Sequence, residues 1–158
     1  MFGNWETFNQ HIDRLLQSGR VECQKDLYYF VRPTRFGTIE IRCCDLPLNI
    51  DSVIALATLI QVLVVYLQEH PNERSAADLL HCDLVDAIAN GPHATLQTPY
   101  GKACSATDFL ESLVDRLRPT ARKLGSQAEL ERIPSALSIN GAELQIAQRN
   151  KVQQTAIG

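Results

Sequence analysis

Residues 27–45 read LYYFVRPTRFGTIEIRCCD, and this segment decides the fold of the chain. It contains two runs typical of β-strands, Leu27–Arg32 and Thr38–Asp45, separated by the five residues Pro33–Gly37. Because a short connection with proline and glycine is a common hairpin loop, the segment predicts an antiparallel β-hairpin.

Side chains alternate between the two faces of the second predicted strand. Ile39 and Ile41 are expected on one face, and Glu40 and Arg42 on the other. A carboxylate on such a face can bind a divalent metal, and a guanidinium group can hold a phosphate through two hydrogen bonds. The pair therefore suits phosphoryl transfer, where catalysis consists mostly of placing metal and positive charge. Taken by itself, however, the alternation fits better an exposed sheet face with a surface Glu–Arg pair.

A long apolar helix is predicted after the hairpin. The fifteen residues Val53–Leu67 are apolar almost all round, and Asn49 or Asp51 can cap a helix that runs to about Glu69. Such a stretch rises about 22 Å, less than the roughly 30 Å of a bilayer's hydrocarbon core. Burial behind a sheet is therefore the preferred interpretation, and membrane association through this segment is the weaker alternative.

The remaining segments are assigned from periodicity and from the positions of proline and glycine. The predicted helices are Trp5–Gln17, Ser75–Asn90, Ser105 to Gly125 and an interrupted stretch over Gln127–Arg149. Inward-facing side chains of the second of these are predicted to be Leu79, Leu80, Leu84, Val85 and Ile88. A short strand is expected at Val21–Cys23, a surface loop at Gly91–Lys102 and a polar tail at Asn150–Gly158. Residues 1–149 are thus predicted to form one domain of the α+β class.

Composition and charge exclude several functional classes. The 158 residues are 45% hydrophobic and 21% charged, which is ordinary for a soluble globular domain. The net charge of −3 and the lack of a basic run argue against a nucleic-acid partner. Five cysteines without CxxC spacing and four scattered histidines predict neither a disulfide framework nor a zinc site. The N-terminal residues lack the features of a secretory signal, so a cytoplasmic location is expected.

Several segments, taken in order, resemble a known enzyme family. The run YYFVRPTRFGTIEIRCCDLPLNIDSVIALATLIQVLVVYL is similar to the C-terminal portion of the carboxylate–amine ligases, the type 2 glutamate–cysteine ligases. Before it, WETFNQHIDRLLQSG resembles the same family, as do RLRPTARKLGSQAELER and GAELQ after it. The resemblance covers roughly Trp5 to Arg149, and its most specific pieces are VRP and GTIEIRCCD.

The resemblance implies a fold and a reaction. Those enzymes share a glutamine-synthetase-like catalytic fold, so the chain is expected to form part of such a domain. Its hairpin would be backed by the long buried helix, with further helices toward the C-terminus. In that family an antiparallel sheet holds ATP and two or three divalent metals, which here implies ATP and Mg²⁺ or Mn²⁺ as cofactors. The reaction phosphorylates the γ-carboxylate of glutamate, and an amine such as that of cysteine attacks the acyl phosphate.

The resemblance also implies a role for each matching residue. Glu40 would be a metal ligand and Arg42 a phosphate contact. Arg32, opposite them in the VRP segment, would be a second nucleotide or substrate contact. The alternation and the resemblance select the same face of the hairpin.

The sequence departs from the family pattern in ways that affect function. Compared with the family, the N-terminal half of the catalytic domain is expected to be absent. Leu144 stands where the family carries an arginine, and Asn72 and Arg74 would be the remnants of a longer polar segment. The chain is therefore expected to be a fragment or split half of a ligase. Its expected partners are glutamate, an amine, and a missing N-terminal half or a second copy in a homo-oligomer, but neither nucleic acid nor membrane. The alternative is a non-catalytic module that binds a partner at a sheet edge exposed by the missing half.

Overall fold

A computed structural model describes residues 4–44, 47, 49–71, 77–97, 102–136 and 141–157. Within these ranges the chain is mainly helical with two small antiparallel sheets, so the predicted α+β class is confirmed. The elements are α1 (Trp5–Gln17), β1 (Val31–Pro33), β2 (Ile39–Ile41), α2 (Ile50–Glu69), α3 (Ala77–Asn90), β3 (Thr95–Gln97), β4 (Ala103–Ser105), α4 (Ala106–Leu124), α5 (Gln127–Glu131), α6 (Ile133–Ala136) and α7 (Gly141–Ile157). They divide into two compact units, Met1–Asp45 and Leu46–Gly158.

Helix α1 of the first unit has the bounds that its apolar stripe predicts. The Asn4 side chain accepts a hydrogen bond from the backbone N–H of Thr7, and the two residues form a reciprocal capping box. Phe8 is buried and lies edge-on to the ring of Tyr29, with 5.9 Å between ring centres. Gly19 follows the helix with φ of +67°, a conformation that glycine adopts without steric cost.

The strand predicted at Val21–Cys23 is wrong. A short 3₁₀ turn, Gln24–Asp26, follows this segment, and the Asp26 carboxylate accepts the backbone N–H groups of Cys23 at 2.8 Å and Glu22 at 3.0 Å. The bond from the Cys23 N–H, with help from the Cys23 thiol and the Glu22 N–H, holds the pKa of Asp26 below its ordinary value. Such local bonds occupy the donors that a strand would need for its ladder.

The predicted hairpin is confirmed, with shorter strands. β1 and β2 pair antiparallel, and Arg32 stands directly opposite Glu40. The turn is closed by a backbone hydrogen bond of 2.8 Å from Thr34 N–H to the Thr38 carbonyl, and Gly37 has φ of +73°. The Arg42 N–H donates to the Phe30 carbonyl at 2.7 Å, so pairing continues one residue beyond β2. The predicted end of this strand at Asp45 lies outside the described residues.

Helix α2 lies at the centre of the second unit. It begins as predicted after Asn49, whose side chain accepts the Ser52 N–H at 2.8 Å. It packs against α4, α5 and α6 around a fully buried set of side chains, Val62, Leu117, Leu130 and Ile133. The apolar residues Ile50, Val53 and Ile54 of α2 are exposed, so burial involves one face rather than the whole circumference. By length and composition alone α2 could cross a membrane, but core helices of soluble proteins meet the same criterion.

The surface loop predicted at Gly91–Lys102 is wrong over residues 91–97, where a 3₁₀ turn leads into β3; residues 98–101 lie outside the described part. β3 pairs antiparallel with β4. On its other side, the Asp86 carboxylate accepts the N–H of Thr95, and Asp83 accepts that of Gln97 at 2.9 Å. The inward orientation predicted for Val85 and Ile88 of α3 is wrong, because these side chains are 55% and 74% exposed. The reason is that α3 directs its aspartates toward β3. The side chains predicted inward at Leu79 and Leu80 lie outside the described ones.

Helix α4 begins at the predicted cap, where Ser105 accepts the Asp108 N–H at 3.0 Å. It continues through Pro119 and ends at Gly125, which has φ of +70°. The final stretch is divided into α5, α6 and α7, as the predicted interruptions indicate. Helix α7 reaches Ile157, so the segment predicted as a polar tail is helical almost to its end.

Candidate functional site

The two arginines and the glutamate singled out in the hairpin meet on one face of the β1–β2 ladder. Arg32 donates from Nε to Oε2 of Glu40 at 2.7 Å, and Arg42 donates from Nε to Oε1 at 2.9 Å. Glu40 therefore bridges the two guanidinium groups, one with each carboxylate oxygen. We call this group the Arg–Glu–Arg cluster. The alternation predicts the common face, and the direct opposition of Arg32 and Glu40 explains the short contact across the strands.

The cluster carries a net positive charge and is partly shielded from water. The side chains of Arg32, Arg42 and Glu40 retain 15%, 25% and 37% of their exposure, respectively. The hydrogen bond from Arg42, followed by that from Arg32, holds the pKa of Glu40 below its ordinary value. Glu40 is thus ionised at neutral pH, and the three formal charges sum to +1.

Each arginine uses a single N–H group on Glu40. A guanidinium group has five N–H donors in one plane. Among the described residues the Nη groups of Arg32 and Arg42 form no hydrogen bond. They remain available for an anion with several oxygens, such as a phosphate.

Tyr28 is a site residue that the sequence did not single out. Its hydroxyl donates to the backbone carbonyl of Arg42 at 3.0 Å, and its ring centre lies 5.7 Å from the Arg42 guanidinium carbon. Both contacts restrain Arg42, the second through cation–π attraction. The sequence does contain a signal for Tyr28. It lies four residues before Arg32, and residues an even number of positions apart fall on the same side of an extended chain.

A divalent metal would find one carboxylate in this cluster. In the described part of the chain no three histidine, cysteine, aspartate or glutamate side chains come close enough to form a metal centre. Both oxygens of Glu40 already accept hydrogen bonds from arginine. Mg²⁺, however, is commonly bound through one or two carboxylates together with substrate phosphates and water. Glu40 fits that mode of binding as one ligand, and it does not fit a cage made of protein ligands alone.

The cysteine and histidine side chains of the described part show no arrangement suited to catalysis. Burial, together with the neighbouring Cys43, raises the pKa of the Cys44 thiol, which disfavours the thiolate needed for nucleophilic attack. His11 is hydrogen-bonded to the Tyr29 hydroxyl at 3.1 Å, and His70 contacts the Tyr66 carbonyl at 2.9 Å. The cysteines within the described ranges are free thiols.

Acid is expected to lower the free energy of unfolding of the first unit, because it protonates Glu40. Because the folded-state pKa of Glu40 is depressed, its stabilising contribution is present above its ordinary value of 4.5 and is lost as pH falls from there through the folded pKa. We expect the stability difference between wild type and Glu40→Gln to shrink over that interval. Denaturation at a series of pH values, followed by a probe in the first unit, measures it. The pKa of Asp26 is depressed as well, and comparing the two proteins at each pH removes its contribution because both contain Asp26. A stability difference between wild type and Glu40→Gln that stays the same from pH 6 to pH 3 would contradict the expectation.

Comparison with known proteins agrees with the resemblance. The family model for glutamate–cysteine ligase family 2 matches residues 1–157. A Bordetella avium protein named "putative glutamate–cysteine ligase 2" is 36% identical over 140 residues, covering 87% of this chain and 35% of the relative. A Gloeobacter violaceus protein of the same name is 33% identical over 152 residues, covering 91% of this chain and 41% of the relative. The chain thus spans about a third to two fifths of the length of these relatives, and it belongs to glutamate–cysteine ligase family 2.

Proposed function

We propose that this chain supplies the phosphate-binding part of an ATP-dependent carboxylate–amine ligase of the glutamate–cysteine ligase type. The observation that carries the proposal is the Arg–Glu–Arg cluster, which presents two guanidinium groups and one carboxylate on a single sheet face. The family and the names of the relatives support a ligase that joins glutamate to an amine such as cysteine.

The chemistry needs positive charge at the phosphates. ATP transfers its γ-phosphoryl group to the γ-carboxylate of glutamate, ADP leaves, and the amine then displaces phosphate from the acyl phosphate to form an amide. Arg32 and Arg42 bind the phosphate oxygens and stabilise the charge that spreads over them during transfer. Tyr28 holds Arg42 in position through its backbone carbonyl and its ring.

Mg²⁺ or Mn²⁺ belongs to the proposal as a cofactor that neutralises phosphate charge, with Glu40 as one of its ligands. The remaining ligands come from outside the Arg–Glu–Arg cluster, since the described part of the chain brings no three potential ligands together. We therefore propose that the chain acts as one part of the active site, together with an N-terminal portion of the enzyme or with a second copy, in the cytoplasm.

An assay of phosphate release with ATP, Mg²⁺, glutamate and a panel of amines tests this function. The chain is assayed alone and together with the polypeptide encoded immediately upstream. We expect no ligation by the chain alone and amine-dependent ligation by the pair, because one carboxylate is too few to organise the metal and the transferring phosphate. Glu40→Gln is the matched control, since it keeps the shape of the side chain and removes its charge.

Two results would count against the ligase. One is a folded chain that shows no ligation with any upstream partner. The other is a pair whose activity is unaffected by Glu40→Gln. A folded chain that is inactive but forms a stable complex with another protein would instead favour the non-catalytic binding module.

A further inference from the structure

We infer that Glu40 holds both arginines of the Arg–Glu–Arg cluster until a phosphate-bearing ligand displaces it, and that Glu40 becomes available to a divalent cation only then. The inference rests on the proposed function in taking a polyphosphate as the ligand of the arginines. It concerns the order of binding at that site.

Glu40 is already engaged on both sides within the cluster. Its two oxygens accept hydrogen bonds from different guanidinium groups, at 2.7 Å and 2.9 Å. Hydrogen bonds between two charged groups are among the strongest in proteins, and here they lie in a partly shielded setting. A metal ion that approaches Glu40 would have to break at least one of them.

The net charge of the cluster favours an anion over a cation. The cluster carries +1, so a dication meets net repulsion from two guanidinium groups in contact with the carboxylate it would bind. A polyphosphate meets net attraction from the same groups and finds Nη donors that form no hydrogen bond with any other described residue. Anion binding is therefore favoured first, and cation binding follows once phosphate has taken the arginines.

The geometry allows each arginine to turn away from Glu40. Arg32 and Arg42 each reach Glu40 through Nε alone, so Arg32 can turn toward a phosphate by giving up one hydrogen bond, and Arg42 by giving up one hydrogen bond and changing its contact with the Tyr28 ring. The released carboxylate then faces the bound phosphates from the same side of the sheet. One carboxylate plus phosphate oxygens is the ligand set that Mg²⁺ commonly accepts.

The inference predicts opposite effects of one substitution with and without metal. In EDTA, Glu40→Gln should bind tripolyphosphate about tenfold more tightly than wild type, because the competing carboxylate is gone and one charged hydrogen bond is worth about that factor. In Mn²⁺, the same variant should bind tripolyphosphate more weakly than wild type, because wild type gains a metal ligand that glutamine replaces poorly. Isothermal titration calorimetry on the full chain at low ionic strength measures both constants.

Matched variants separate the local contact from general charge. Glu22→Gln removes the same charge from an exposed position of the first unit and should change tripolyphosphate affinity by less than about twofold under these conditions. Glu40→Asp keeps the charge and shortens the side chain, so it cannot hold both arginines as Glu40 does and should also tighten metal-free binding. Fluorescence of Trp5, the single tryptophan of the chain and a residue of the first unit, checks that this unit is folded in each variant. Glu40→Asp decides the matter if Glu40→Gln does not fold.

Weaker or unchanged metal-free binding in Glu40→Gln, relative to Glu22→Gln, would overturn the inference. So would binding of Mn²⁺ to the wild-type chain at Glu40 in the absence of polyphosphate, detected as a loss of binding in Glu40→Gln. Absence of any tripolyphosphate binding in wild type and both Glu40 variants would overturn it as well. If the opposite effects are found but no ligation occurs with any partner, the ligase proposal fails and the binding order stands.

Discussion

Leu117→Ala is expected to lower the free energy of unfolding of the second unit by about 3 kcal/mol. Leu117 in α4 is completely buried, in a cluster with Val62 of α2, Leu130 of α5 and Ile133 of α6. Truncation removes packed methyl groups and leaves a cavity among the four helices that contribute to this cluster. Part of the cost is the favourable free energy of moving the deleted methyl groups out of water, and part comes from the cavity that is left behind.

Urea denaturation followed by far-UV circular dichroism measures this effect, because most helical residues belong to the second unit. Leu124→Ala is the matched control: it makes the same change at the end of the same helix, where the side chain is 39% exposed. The control should cost less than about 1 kcal/mol. Equal losses in the two variants would show that Leu117 does not occupy a packed core.

Arg42→Gln is expected to lower the ligation rate by about 10²- to 10³-fold in the assembly that is competent for ligation. The substitution removes a positive charge from the phosphate-binding face and leaves Glu40 with one arginine partner instead of two. Both changes reduce the stabilisation of charge on the transferring phosphate. The rate of ADP formation, measured at saturating glutamate and amine, gives the loss directly.

Arg35→Gln is the control for this variant. Arg35 belongs to the same hairpin but lies in its turn, with its guanidinium carbon 4.8 Å from the ring centre of Phe36, and it takes no part in the cluster. Its rate should stay within about twofold of wild type. If Arg42→Gln and Arg35→Gln have the same rate, Arg42 does not contact the phosphates and the assignment of the site is wrong.

The sequence predicted best the features that are encoded locally. The N-terminal caps at Asn49 and Ser105 satisfy helix N–H groups from within a few residues, and the alternation around Glu40 needs only the geometry of one strand. These features were therefore readable without knowledge of the tertiary structure. The cluster of Glu40 with both arginines follows from the same alternation once the hairpin register is known.

Features that depend on distant partners were predicted poorly. Residues 95–97 look like a polar loop, and they form a strand because β4 pairs with them and α3 supplies carboxylates to their other side. The exposure of Val85 and Ile88 has the same cause, since α3 turns its acidic face toward β3. The parity of Tyr28 places it on the same side of the chain as Arg32, but its contact with Arg42 spans fourteen residues of sequence and requires the register of the hairpin.

The bonds from Asp83 and Asp86 to β3 also bear on how copies of this chain meet one another. A two-stranded sheet offers unpaired N–H groups along its sides, and a neighbouring molecule can add a strand there and start an aggregate. On β3 the outward N–H groups of Thr95 and Gln97 are already occupied by these two carboxylates. An incoming strand would have to displace two charged acceptors and bring its own carbonyls next to them. Helix α3 thus protects the β3 edge of this sheet against the addition of a strand from another molecule.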